Sequence, residues 1–389
     1  MMDYANILSQ TVQNIKPSGI RKFFDLLEHM EDVVALTVGQ PDFATPWHIR
    51  EAGIASLEQG KTYYTSNAGT LDLRVAITEY LERRFALRYQ SEKEIIVTVG
   101  GSEAIDLAFR ALIEPGDEVI IPTPSFVCYG PIAELCHGVP VYIETKAKDN
   151  FKLTADDLRA AITPRTKLLV LPFPNNPTGA IMTREELEEI AAVLRGTNII
   201  VLSDEIYAEL TYGRRHVSIA TLDGMAERTI IASGFSKAYA MTGWRLGYIA
   251  APAPLTKQML KIHQYALMCA PTTSQIAAIE AMRNGDDDIA YMAAEYNRRR
   301  RYIVKGLRDI GLSCFEPEGA FYVFPRIGDF GLSSDEFCER LLTQNRVAIV
   351  PGTAFGAGGE GFARISYAYS VKHITEALER MGNFIQTLT

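Results

Sequence analysis

Cysteine is scarce in this chain of 389 residues: there are five, at positions 128, 136, 269, 314 and 338. Their spacings are wide and hold no C-x-x-C pair, which argues against a disulfide framework and against a cysteine zinc site. The six histidines, at 29, 48, 137, 216, 263 and 373, form no H-E-x-x-H or other close pair, so no metal is expected. No stretch approaches the roughly 18 apolar residues of a membrane-spanning helix. The start, Met1-Met2-Asp3-Tyr4, has no basic region leading into an apolar run, so no secretory leader is expected and the compartment is read as the cytoplasm. Positive charge is in deficit, 39 Lys and Arg against 47 Asp and Glu, and a net charge of −8 argues against a broad nucleic-acid face. With 29 glycines and 18 prolines the chain is neither collagen-like nor a linker. The G-x-S-x-G elbow of serine hydrolases and the Walker phosphate loop are missing as well.

What is present is ordinary for a globular enzyme: 47% apolar, 22% charged and 10% aromatic residues. Short apolar runs alternate with helical patterns. The strand candidates are 33–38, 95–99, 118–121, 139–143, 167–171, 198–202, 228–232 and 246–250; helices are expected at 71–84, 102–113, 154–161, 183–195 and 255–267. Several strands are apolar without alternation, as strands covered on both faces are, and the rhythm is that of an α/β unit with a mostly parallel sheet. Near residue 285 the pattern changes. A long helix is expected from Asp288 to Ile310, then short strands at 319–324, 347–350 and 362–367 and helices at 334–342 and 371–387. This predicts a large unit over 46–284 and a small α+β unit built from 1–45 and 285–389. The run Arg298-Arg299-Arg300-Arg301 in the long helix is read as a solvated or paired surface, because acidic residues precede it.

Seven short motifs are candidates for chemistry. Lys237, in Ser233-Gly234-Phe235-Ser236-Lys237, follows an apolar strand; it is a surface lysine, or a nucleophile whose pKa burial has lowered. Arg245 lies eight residues on, between Gly243 and Gly247, and is able to hold a phosphate by paired hydrogen bonds. In Val99-Gly100-Gly101-Ser102-Glu103 a strand turns into a helix, which makes an anion site of the helix start or an ordinary turn. Pro174-Asn175-Asn176-Pro177 is a rigid turn at the carboxyl edge of the sheet, where open α/β folds place ligands. Asp204 ends an apolar strand and needs a partner if buried, either a protonated ring nitrogen, a magnesium ion or the next turn; Tyr207 lies three residues on. Arg364 sits inside an apolar strand and needs an anionic partner. The segment Gly39-Gln40-Pro41 is free to approach a ligand.

Asn176, Asp204, Tyr207, Lys237, Arg245 and Arg364, in this order along the chain and with a likeness that covers nearly all of it, resemble the pyridoxal-phosphate aminotransferases of fold type I, class I/II. The nearest likeness is to the aromatic aminotransferases and to the bacterial group of aminotransferase A, associated with N-acetyl-LL-diaminopimelate. The resemblance implies a fold-type I transferase with a mostly parallel seven-stranded sheet plus a small α+β domain. It implies that Lys237 anchors the cofactor and shuttles the proton. Asp204 pairs with the ring nitrogen, Tyr207 and Asn176 bond the ring oxygen, and Phe126 stacks on the ring. Gly101, Ser102 and Arg245 hold the phosphate, and Ser236 helps where Gly234 replaces a serine of many relatives. Arg364 takes the substrate carboxylate, with Asn176 and Gly39. Tyr64 reaches the site of the other subunit of a homodimer. Ile20, Tyr64 and Phe321 are expected to wall the side-chain pocket, which fits an aromatic amino donor with 2-oxoglutarate as acceptor. N-acetyl-LL-diaminopimelate is the alternative donor, and a C–S lyase the less favoured reaction.

Overall fold

The computed structural model describes residues 2, 4–17, 19 and 30–388. Strands β1 (Val34–Ala35), β2 (Ile95–Thr98), β3 (Glu118–Thr123), β4 (Val139–Glu144), β5 (Thr166–Leu171), β6 (Ile200–Asp204), β7 (Thr229–Gly234) and β8 (Gly247–Ala250) come first. Seven of them form one sheet in the order β2-β8-β7-β6-β5-β3-β4. β8 runs antiparallel to both neighbours, and the other pairings are parallel. Helices cover both faces, so the central strands are buried along their length. Two apolar clusters lie against this sheet, one including Ile96, Leu168, Leu202 and Ile249, the other Ile120, Leu169, Val201 and Leu187.

The second part of the chain adds β9 (Tyr322–Val323), β10 (Val347–Ala348), β11 (Val350–Pro351) and β12 (Ala363–Ser366). β11-β12-β9 make an antiparallel sheet, and β10 pairs in parallel with β1. The helix Asp286–Asp309 packs here with Val371–Gln386 over a core of Tyr296, Ile303, Leu307, Phe337 and Phe384. The fold is therefore a large, mostly parallel seven-stranded sheet domain with a smaller antiparallel sheet domain.

Three of the four consecutive arginines are engaged by the protein. Arg298 pairs with Glu295 at 2.7 Å. Arg299, buried, forks both oxygens of Asp42 at 2.8 Å and reaches Glu295 at 2.9 Å. Arg300 binds Glu316 at 2.8 Å and the Pro317 carbonyl at 3.0 Å.

Some boundaries differ from the sequence expectation. The run 347–350 is two strands, because β10 joins β1 while β11 joins β12. Three helices had no legible pattern: Trp47–Glu58, Tyr129–Leu135 and Thr272–Asn284. The first exposes Trp47, Ile54 and Leu57. The last buries a face of Ser274, Gln275, Ala277, Ala278 and Ala281, too small and polar to read as core. Gln275 spends its amide fully, accepting from the Thr70 N–H at 2.8 Å and donating to Thr65 Oγ1 and the Ala270 carbonyl.

Candidate active site

The carboxyl ends of β2, β5, β6 and β7 open on one cavity of about 400 Å3. Each strand hands its last residue, or the turn after it, to that opening. β6 ends at Asp204, which is 8% exposed. Its Oδ2 accepts from Tyr129 Oη at 2.6 Å and its Oδ1 from the Ile206 N–H at 3.2 Å. Burial raises the Asp204 pKa, opposed by those two donors and by the charge of Lys237. Tyr207 follows in the same turn, with its hydroxyl 2.8 Å from Tyr322 Oη.

Lys237 comes three residues after β7. Its Nζ donates to the Gly39 carbonyl at 2.6 Å and lies 5.7 Å from the centre of the Tyr207 ring. Burial first, then the charges of Arg364 and Arg245, lower its pKa to about 8. Gly39 has to be glycine for this approach, because a Cβ there would collide with the Tyr322 hydroxyl.

After β2 the helix Gly101–Leu112 begins without a side-chain cap, so its first N–H groups face the cavity side. Gly100, at φ 82°, precedes it; a Cβ here would stand 2.6 Å from Arg245 Nη2. Arg245 makes no ion pair among the described residues; its Nη1 donates to the Thr242 carbonyl at 3.0 Å. Gly101, Ser102, Ser236 and Arg245 thus converge on one end of the cavity with donors and no carboxylate.

Arg364 enters from β12 and is 3% exposed. It donates to Asn176 Oδ1 at 3.0 Å and to the Thr37 carbonyl, and its plane lies 4.7 Å from the Tyr322 ring centre and 4.8 Å from that of Phe355. Its Nε is buried without a partner, and no carboxylate pairs with it among the described residues. A buried cation without an anion is costly, and a bound anion would relieve the cost.

The structure brings together Lys237, Asp204, Tyr207, Asn176, Phe126, Gly101, Ser102, Ser236, Arg245, Gly39 and Arg364 as lining of this one cavity. Tyr64 is 77% exposed and does not line it within its own chain. Ile20 lies outside the described residues. Phe321 is a correction to the expected pocket wall: it is fully buried against Tyr207 and Tyr296, and Tyr322 lines the cavity in its place. Neighbours on an extended segment face opposite ways, so a shift of one residue exchanges wall for core. Sequence reading also missed Tyr129. Its signal was present, three residues after Phe126 and therefore on the same side of a helical turn, with the two rings edge to face at 6.2 Å.

The pattern of the family described as Aminotransferase class I and II matches residues 31–381. YugH, a protein of Bacillus subtilis (strain 168), is 55% identical over 98% of this chain and 99% of its own length. Another protein of that strain, described as a probable N-acetyl-LL-diaminopimelate aminotransferase, is 47% identical over 98% of this chain and 96% of its own. The crystal structure of an aromatic aminotransferase from Pyrococcus horikoshii OT3 superposes with a TM-score of 0.90 at 44% identity, covering 94% of this chain and 100% of that one. The chain belongs to the class I and II aminotransferases, enzymes of fold type I that depend on pyridoxal phosphate. It moves an amino group between an amino acid and a 2-oxo acid, and among its relatives are aminotransferases for aromatic amino acids and for N-acetyl-LL-diaminopimelate.

Proposed function

We propose that this enzyme transfers the amino group of an aromatic L-amino acid, phenylalanine or tyrosine, to 2-oxoglutarate through alternating half-reactions. The observation that carries the reading is the cavity itself. It joins a buried lysine of lowered pKa to a buried, unpaired Arg364, and its described lining offers no further arginine for a distal carboxylate beyond Arg245 at the phosphate end. Val38, Ile105, Pro172, Pro174 and Tyr322 supply apolar wall for a ring.

The donor set fits pyridoxal phosphate. The uncapped helix start with Ser102, Ser236 and Arg245 makes a cup for the phosphate dianion. Asp204 is a buried carboxylate suited to a protonated ring nitrogen, and the Tyr129 hydrogen bond aims it and favours its ionised form against the effect of burial. Tyr207 and Asn176 offer hydrogen bonds to the ring oxygen, Phe126 offers a face for the ring, and Lys237 supplies the anchoring amine. When bound, pyridoxal phosphate supplies an aldehyde for amines and a ring that accepts electron density from the substrate Cα. Arg364 and Asn176 hold the substrate carboxylate, which fixes the Cα–H bond toward Lys237. The Lys237 amine, when free, would take the Cα proton on Nζ and hold it there for return. In the cofactor-free chain, burial and then the charges of Arg364 and Arg245 favour the neutral amine that this work needs.

The working unit we propose is a homodimer in which Tyr64 reaches the partner's phosphate cup. Tyr63, Tyr64, Tyr265, Leu267 and Met268 are exposed, and the segments that carry them are tied by Asn67 Nδ2 to the Met268 carbonyl at 2.7 Å and by Thr272 Oγ1 to the Tyr63 carbonyl at 2.6 Å. So large an apolar patch suits burial against a second copy. We propose the division at 46–284 against 1–45 and 285–389; in support, the strands of the seven-stranded sheet fall in the first range and those of the two smaller sheets in the second. We place the enzyme in the cytoplasm; its five cysteines are free thiols.

A second reading, an N-acetyl-LL-diaminopimelate donor, is favoured by the relative at 47% identity that is described so. Single-turnover half-reactions with phenylalanine, tyrosine, aspartate, glutamate and N-acetyl-LL-diaminopimelate decide between them by rate constant over concentration. The proposal expects phenylalanine or tyrosine first. A lead of orders of magnitude for N-acetyl-LL-diaminopimelate or aspartate overturns it.

A further inference from the structure

A second cavity, of about 460 Å3, shares no lining residue with the first. Phe85, Leu87, Val217 and Ala220 give it apolar walls. Its charged groups are Arg88 and Arg184, and no aspartate or glutamate lines it. Arg184 makes no ion pair among the described residues; its nearest polar contact is Thr221 Oγ1 at 3.4 Å. Arg88 pairs with Glu82 at 2.8 Å, but the two side chains are 83% and 56% exposed. Such a surface pair is weak and exchanges readily for another anion.

Deeper in the lining one polar group is short of an acceptor: Tyr89 has its hydroxyl buried with no hydrogen-bond partner. The His216 side chain, 7% exposed, is already held by the Glu205 carboxylate, with its Nε2 3.0 Å from Oε2. A buried donor left unsatisfied costs free energy that a bound acceptor recovers. Two arginines and an unpaired phenol around an apolar chamber define an anion site with room for more than the anion. A bare phosphate or chloride would leave the walls of Phe85, Leu87 and Val217 uncovered.

We propose that this cavity is a second binding site, for a small organic carboxylate with an apolar body, held at its mouth by Arg88 and Arg184. Neither arginine belongs to the machinery around Lys237, so this site and the substrate site are separable by mutation.

The test is equilibrium dialysis of the holoenzyme with radiolabelled 3-phenylpropanoate, which has no amino or oxo group to react. The unaltered enzyme is expected to bind at two sites per chain, one anchored by Arg364. Arg364→Ala should keep one site, and adding Arg88→Ala with Arg184→Ala should weaken that site at least about tenfold, the loss expected for a charge-assisted hydrogen bond to each arginine. Because Arg364 is buried and its variant is at risk of misfolding, the same measurement on the Arg88→Ala/Arg184→Ala enzyme alone, altered only at exposed side chains, should show two sites falling to one. The proposal is overturned if folded Arg364→Ala binds nothing, or if removing Arg88 and Arg184 leaves the number of sites and their affinities unchanged.

Discussion

The amine of Lys237 is expected to titrate far below an ordinary lysine in the cofactor-free protein. Burial withdraws water from the ammonium form, and Arg364 and Arg245 repel it, which together bring the pKa from 10.5 to about 8. At pH 7 about one amine in eleven is then neutral, against about one in 3,000 at the ordinary value, an advantage of about 300-fold in reactive form. Competitive acetylation with a trace reagent reads this directly. The Lys237 peptide is quantified by mass spectrometry against an exposed lysine such as Lys257, at pH values from about 6 to about 11. Lys237 reactivity should rise through about pH 8 and level off above it. Arg364→Met should move the Lys237 midpoint upward, because a repelling charge is gone. Stability carries the same signature. The unfolded chain binds the extra proton between about pH 8 and 10.5, so the cofactor-free fold gains stability as pH rises through that window and gains nothing from Lys237 below it. A Lys237 amine that becomes reactive only above about pH 10 would refute the reasoning, since neither burial nor the arginines would then be acting on it.

Tyr129→Phe removes the 2.6 Å hydrogen bond to a buried carboxylate, a contact worth about 1.5–3 kcal/mol, so the dissociation constant of pyridoxal phosphate should rise roughly 10- to 100-fold by fluorescence titration; an unchanged constant denies Tyr129 a positioning role. Tyr64→Phe should loosen cofactor retention in a dimer, seen as faster loss on dialysis, and a fully active monomer by light scattering contradicts the shared site. Arg299→Met leaves Asp42 and Glu295 without their buried partner and should lower stability by about 2–4 kcal/mol in denaturant unfolding; a change under about 0.5 kcal/mol shows that the pair is not holding the small domain to the segment around Asp42.

How much was legible in the sequence depended on which property the sequence displays. The central strands were legible because both faces are buried and the runs are apolar, as at Lys167–Leu171 against β5 (Thr166–Leu171). Lys237, Asp204, Arg364 and Asn176 were legible because each follows or interrupts such a run, and the sheet gathers strand ends whatever their separation in the chain. The helix Thr272–Asn284 was hidden, since its buried face is mostly alanine, serine and glutamine, with Met282 its one large apolar residue. The exchange of Phe321 for Tyr322 turned on a single residue of register, which composition does not fix. Tyr129 was missed although its spacing from Phe126 was visible. Its purpose shows only once Asp204, 75 residues later, is brought 2.6 Å from its hydroxyl.

Borohydride reduction of the protein loaded with pyridoxal phosphate, followed by peptide mass spectrometry, tests the central assignment most directly. The account predicts one reduced adduct per chain, on the peptide bearing Lys237. Label at another lysine, or none at all from protein that has taken up the cofactor, contradicts it.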